Sequence, residues 1–170
     1  MRWVTVVLTV PVVALLTQPL WAPGWGAGIL GELALLGGPG VALAVAVFFV
    51  LVAFYCRSLQ RLLALVHPEA RRRSPRSVWF MFALPFNFVE DFFIVADLAA
   101  SLRQDGRTAP KTCRLWLVLG EAWCVLQIAS LLPGEAGIVS GTVALLLWVW
   151  HWGHTVVIRR RLTGSVVRGG

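Results

Sequence analysis

Five stretches of the chain are apolar over the length of a membrane span: residues 3–21, 41–60, 78–102, 115–132 and 138–158. A helix needs ~20 apolar residues to cross the hydrocarbon of a bilayer, with about 17–25 tolerated. Within each run the apolar residues follow one another instead of alternating, which predicts helices and argues against the strands of an outer-membrane barrel. The first run carries no charge and ends at Pro19 and Pro23. The second ends in Arg57 and Arg61, one turn apart, whose aliphatic stems can lie along the helix while their charged ends reach water.

The first run follows Arg2 and so imitates a secretory signal. Pro11 in its middle, its length, and Leu20 and Trp21 where small residues would be needed for cleavage predict a retained anchor.

The third run differs from the others because it contains Glu90, Asp91 and Asp97. At ~100° per residue, Asn87, Glu90, Asp91, Asp97 and Ser101 fall in one sector of about 120°, and Phe82, Phe86, Val89, Phe92, Phe93, Ala96 and Ala99 fill the rest. Pro85 interrupts the pattern and separates an entry piece from a main helix, as in re-entrant segments. Each carboxylate would cost ~2.5–3.5 kcal/mol at mid-bilayer on insertion scales, so the acids are expected to face protein or a bound cation.

Basic residues test the threading, since cytoplasmic loops carry an excess of Lys and Arg. If all five runs cross, the 15 basic residues divide almost evenly between the two sides. If residues 78–102 do not cross, all 15 fall on the side of the two termini, and the outer loops 22–40 and 133–137 keep only Glu32 and Glu135. The expected fold is therefore an all-α integral membrane protein, one membrane domain over residues 1–170. It has four transmembrane helices plus a cytoplasmic-face amphipathic or re-entrant helix, with five transmembrane helices as the alternative. Both termini are expected in the cytoplasm, and the membrane to be the inner or plasma membrane.

Composition agrees with this and excludes other classes. The chain is 58% hydrophobic and 14% charged, against ~25% charged in soluble domains. A net charge of +7 could suggest nucleic acid as a partner, but the cations lie between apolar runs, which points instead to the lipid bilayer. The basic clusters Arg71-Arg72-Arg73 and Arg159-Arg160-Arg161 are read as topology anchors. The chain is tryptophan-rich. Of its nine tryptophans, Trp3, Trp21, Trp25, Trp79 and Trp116 fall near expected interfaces, while Trp148, Trp150 and Trp152 point to different faces of the last helix as lipid and packing contacts. Gly137 and Gly141 form a GxxxG pair at that helix's start, a close-packing signal. The glycine-rich stretch 22–40, with an apolar core at 29–36, reads as an ordered outer connection, possible as a short helix on the outer leaflet.

Candidate chemistry is sparse. Cys56, Cys113 and Cys124 have no CxxC spacing and lie within or at the ends of spans, so they are expected to remain reduced and not to hold structural zinc. Three histidines are too few for a histidine-box desaturase. The ionisable residues inside apolar runs are the functional candidates by default: Glu90, Asp91, Asp97 and Glu121 as acid or base. His151 and His154, on adjacent turns, are the candidates for a divalent metal or for carrying protons. Ion pairing that pins the helices is the simpler role for the same residues.

The expected function is that of a non-catalytic accessory, assembly or interaction subunit of a membrane complex, with other membrane subunits or further copies of itself as partners. Two alternatives stand beside it. One is a membrane-embedded enzyme on a lipid or isoprenoid substrate, using Glu90 or Asp91 with His151 and His154. The other is a proton-coupled carrier or small oligomeric channel.

Overall fold

A computed structural model describes residues 3–26 and 36–168, with side chains through residue 164. The expected outer helix within 29–36 falls almost wholly outside the described residues, as do Arg2 and Glu32. All regular structure among the described residues is helical: α1 (Trp3–Leu16), α2 (Gln18–Trp21), α3 (Gly37–Leu65), α4 (Asn87–Asp105), α5 (Pro110–Ala129) and α6 (Glu135–Arg168). Tighter 3-10 turns cover Pro23–Trp25, Pro68–Ala70 and Pro75–Phe82.

Three of these helices are long and apolar enough to cross a membrane: Gly37–Leu65, Pro110–Ala129 and Glu135–Gly164. The first apolar run instead forms a 14-residue helix and a single further turn. The break is local chemistry. Pro19 has no N–H to continue the ladder, and the Thr17 hydroxyl donates back to the Val13 carbonyl at 2.8 Å.

α3, α6, α5 and α4 pack in that order around a common core, and the Pro75–Phe82 segment fills the gap between α4 and α3. The core contains Tyr55, Leu59, Leu62 and Leu63 of α3, Ile94, Val95, Leu98 and Leu102 of α4, Trp116 and Cys124 of α5, and Trp148, Ile158 and Leu162 of α6. α1 leans on the outside of α4, where Val12, Val89 and Leu131 form a smaller cluster.

The acidic third run holds the turn of a hairpin, the end of its descending limb and most of its returning limb. From Val66 the chain runs down beside α3, with Trp79 Nε1 donating to Gln60 Oε1 at 2.8 Å and Phe82 stacked on Phe49. It turns at Leu84–Pro85, a cis peptide, and returns as α4. α4 lies antiparallel to α5: Asp91 meets Gln127, and Val95 meets Gly120. The segment is thus inserted alongside the other helices over ~28 Å, at 1.5 Å per residue, and does not lie flat across their ends.

Both ends of the hairpin are stitched together. Asp105 accepts from the His67 backbone N–H at 2.9 Å and shares a 2.7 Å bond with its Nδ1. Arg107 donates to Asp105 and to the Leu65 carbonyl at 2.6 Å, and Arg71 donates to the Ala64 and Val66 carbonyls. Three consecutive carbonyls around the end of α3 thereby receive guanidinium donors, the favourable match between a helix C-terminus and a cation. α6 runs antiparallel to α5, with Gly141 beside Ser130 and Thr155 bonded to Trp116, so Arg159, Arg160 and Arg161 lie toward the start of α5 and sit at this end as well. Basic residues far apart in the chain therefore gather at one end of the bundle.

Small residues allow the close contacts. A Cβ on Gly120 would lie 2.6 Å from Val95 Cγ1 and 2.8 Å from His151 Nε2, so α4 and α6 approach α5 through its missing side chain. Gly137 presses on the Leu132 carbonyl and Gly141 on Ser130, so the GxxxG pair packs against the end of α5 and the turn that follows it.

Candidate functional site

Two buried polar groups lie inside the bundle. The first is centred on Arg73, whose side chain is only 12% exposed. Its Nη2 donates to Glu90 Oε1 at 2.8 Å, and its Nε lies 3.9 Å from Asp97 Oδ2. Glu90 Oε2 also accepts from the Thr5 hydroxyl at 3.1 Å, tying α1 to α4. Asp97 offers its backbone carbonyl to the Ser101 hydroxyl, which in turn accepts the Arg72 backbone N–H. The polar sector of α4 expected to face protein or a cation is met by a cation of the chain itself.

The second group surrounds Tyr55, the only tyrosine. Its hydroxyl and His151 Nδ1 share a 2.8 Å hydrogen bond, and both side chains are buried. Trp123, Trp148 and Trp152 meet the tyrosine ring edge-on at centroid distances of 5.7, 5.6 and 6.1 Å. Trp116 lies 4.3 Å from the imidazole, and its indole N–H donates to Thr155, whose hydroxyl donates to the His151 carbonyl. Edge-on aromatic packing of this kind holds ring positions beyond simple burial. His151 Nε2 faces Gly120 and has no hydrogen-bond partner among the described residues.

Asp91 lies near this second group, within electrostatic reach of Tyr55, Cys56 and Cys124. Gln127 donates to its Oδ2 at 3.0 Å, while Oδ1 has no hydrogen-bond partner among the described residues. The three cysteines are buried free thiols.

The sequence candidates therefore separate. Glu90 and Asp97 share Arg73, Asp91 is held by Gln127 of α5, and His154 turns away from the Tyr55–His151 pair to lie edge-on to Trp150 at 6.4 Å. Among the described residues no three His, Cys, Asp or Glu side chains gather as a metal-ligand set. Glu121 lies apart from both groups, on the exposed side of α5 with Val118 and Val125. It makes no hydrogen bond or ion pair with another described side chain. Arg73 and Tyr55 are missed by sequence reasoning. Tyr55 carries a signal only in being the sole phenol inside an apolar run, and Arg73 carries none that separates it from Arg71 and Arg72.

An open apolar groove of about 260 Å³ lies between α1 and the hairpin turn, lined by Val6, Thr9, Val10, Val13, Pro85 and Phe86. No family model, curated protein or solved structure matches the chain.

Proposed function

We propose that this chain is a small multi-pass membrane protein without catalysis of its own, serving as an interaction or assembly subunit of a membrane complex. In this reading it is threaded through the cytoplasmic membrane with four spans, residues 3–21 supplying the fourth. Both termini and the basic end of the bundle lie in the cytoplasm. The gathering of arginines at the end where the hairpin enters and leaves supports that orientation, because cations are retained on the cytoplasmic side.

The observation that carries the interaction reading is Glu121. It lies roughly 16 Å, at 1.5 Å per residue, from the start of α5 and about 12 Å from its end, too deep for a short acidic side chain to reach either surface. A charge at that depth facing lipid costs ~2.5–3.5 kcal/mol on insertion scales. A cationic or hydroxyl-bearing residue on a partner's transmembrane helix offsets that cost, and the flanking Val118 and Val125 supply the apolar contact around it.

Purification at native expression level in mild detergent tests this. A stoichiometric membrane partner is expected with the wild-type chain and is expected to be lost with Glu121→Gln and Glu121→Leu. A chain that purifies alone, or retains the partner in both variants, contradicts the reading.

A second reading, proton transfer within the bundle, is favoured by the burial of Asp91 together with the Tyr55–His151 pair. It requires pH-driven flux in liposomes that Asp91→Asn abolishes.

A further inference from the structure

The outer face where the descending limb of the hairpin meets α3 combines cations with an aromatic ladder. A 3-10 helix has three residues per turn, so Arg76, Trp79 and Phe82 stand one above another on the Pro75–Phe82 segment. The rings of Trp79 and Phe82 are stacked at 5.6 Å, and Phe82 continues the stack onto Phe49 of α3 at 6.0 Å. The Trp79–Gln60 hydrogen bond fixes the height of this ladder against α3. Beneath it, Cys56 contacts Met81 and the Val78 carbonyl, so the limb is clamped on its inner side.

Gln60 is flanked on α3 by Arg57 and Arg61, both exposed. Arg57, Arg61 and Arg76 make no hydrogen bond or ion pair with another described residue. Arg71, Arg73 and Arg107, by contrast, are occupied by helix carbonyls or carboxylates. Three uncommitted guanidinium groups thus stand at the basic end of the bundle. From the level of Arg61 and Arg76 an aromatic surface runs inward, with Trp79, Phe80 and Phe54 exposed, Phe82 and Phe49 half-buried in the stack, and Arg57 one turn inward of Gln60.

We propose that this face binds an anionic phospholipid. Its phosphate is held by Arg57, Arg61 and Arg76, and the upper part of an acyl chain lies along Trp79 and Phe82. Guanidinium groups suit the phosphate because they donate in a planar fork, and the indole suits the boundary between headgroup and chain. Charge complementarity selects a headgroup with net negative charge over a zwitterionic one. This site is independent of Glu121, which lies on a different helix.

The test uses the full-length protein in detergent, titrated with phosphatidylglycerol, phosphatidylcholine or inorganic phosphate, and read by native mass spectrometry and by melting temperature. Saturable phosphatidylglycerol binding is expected, weakened about tenfold or more in Arg57→Gln/Arg61→Gln, since each cation near an anionic headgroup contributes on the order of 1 kcal/mol. Trp79→Leu is expected to weaken it while leaving the charge unchanged. Arg159→Gln/Arg160→Gln, a control at the same end, is expected to retain it. Lipid-free melting temperatures of the variants confirm that the fold is kept, as these arginines are exposed. Equal binding of phosphatidylcholine, or equal loss in the control pair, would overturn the proposal. So would a response to inorganic phosphate as large as that to the lipid, which would assign the arginines to a free anion.

Discussion

The Tyr55 hydroxyl and His151 Nδ1 meet at 2.8 Å in the interior of the bundle, 96 residues apart in sequence, and join α3 to α6. Both groups are buried, so neither can exchange this bond for one to water. Tyr55→Phe keeps the ring among Trp123, Trp148 and Trp152 and removes only the hydroxyl. Inter-helical hydrogen bonds in membranes contribute on average ~0.6 and at most about 1.7 kcal/mol in double-mutant cycles. Tyr55→Phe is therefore expected to destabilise the chain by about 1 kcal/mol in reversible unfolding from mixed micelles. A cycle with His151→Leu is expected to show coupling of that size. Additive effects would mean that the bond contributes nothing.

Arg73 is the cation of a buried set. Removing one member of a buried ion pair leaves the other charged and unpartnered, at a cost of ~3–5 kcal/mol. Arg73→Leu is expected to fall in that range in the same unfolding assay. Arg73→Leu with Glu90→Leu is expected to be less destabilised than Arg73→Leu alone. Arg72→Leu, whose side chain is exposed, serves as the control and is expected to change stability by less than ~0.5 kcal/mol.

These two groups mark how far the sequence could be read. Pro85 and the acidic sector were enough to predict a break in the segment and a helix whose acids face protein. The spans 41–60, 115–132 and 138–158 correspond to α3, α5 and α6, though each helix starts earlier than its apolar run because polar and glycine residues at the ends still continue the hydrogen-bond ladder. Arg73 was not legible. Within Arg71-Arg72-Arg73 the three side chains are chemically identical, and only partners some 17 to 24 residues away send Arg73 inward while Arg71 takes the carbonyls of α3. His151 and His154 share a pattern, but a spacing of three residues on the helix leaves an offset of about 60° between adjacent turns, enough to place His151 in the core and His154, half-buried, near Trp150.

Gly120→Ala places a methyl within 2.6 Å of Val95 and 2.8 Å of His151. Overpacking a well-filled core costs about 1–3 kcal/mol. The variant is expected to melt at a lower temperature. Adding Val95→Ala, which removes the nearer clash, is expected to recover part of the loss. A neutral Gly120→Ala would show that α4 and α6 do not approach α5 through this position.

Asp105 links the two ends of the hairpin and gives a pH dependence. Burial alone would raise its pKa, but hydrogen bonds from Arg107 and from His67 outweigh that and hold it at about 2, below its ordinary 3.8. A carboxylate whose pKa is lower when folded contributes stability above its unfolded pKa and loses it as pH falls through the folded value. Stability from this group is therefore expected to be constant from neutral pH down to about 4 and to be lost toward pH 2. Melting curves of wild type and Asp105→Asn at neutral pH and near pH 2 check this. The difference between them is expected to shrink in acid, and a constant difference would remove Asp105 from the account.

The arrangement on which both the threading and the lipid site depend is the hairpin that enters and leaves at the basic end. Single cysteines at Glu69 and Gln104, both exposed, report it directly when labelled in oriented vesicles with a membrane-impermeant maleimide. The native thiols are buried and serve as background. Labelling of both positions from the same side is expected, with a cysteine at Glu135 labelled only from the other. Labelling of residues 69 and 104 from opposite sides would contradict the account and make α4 a fifth span.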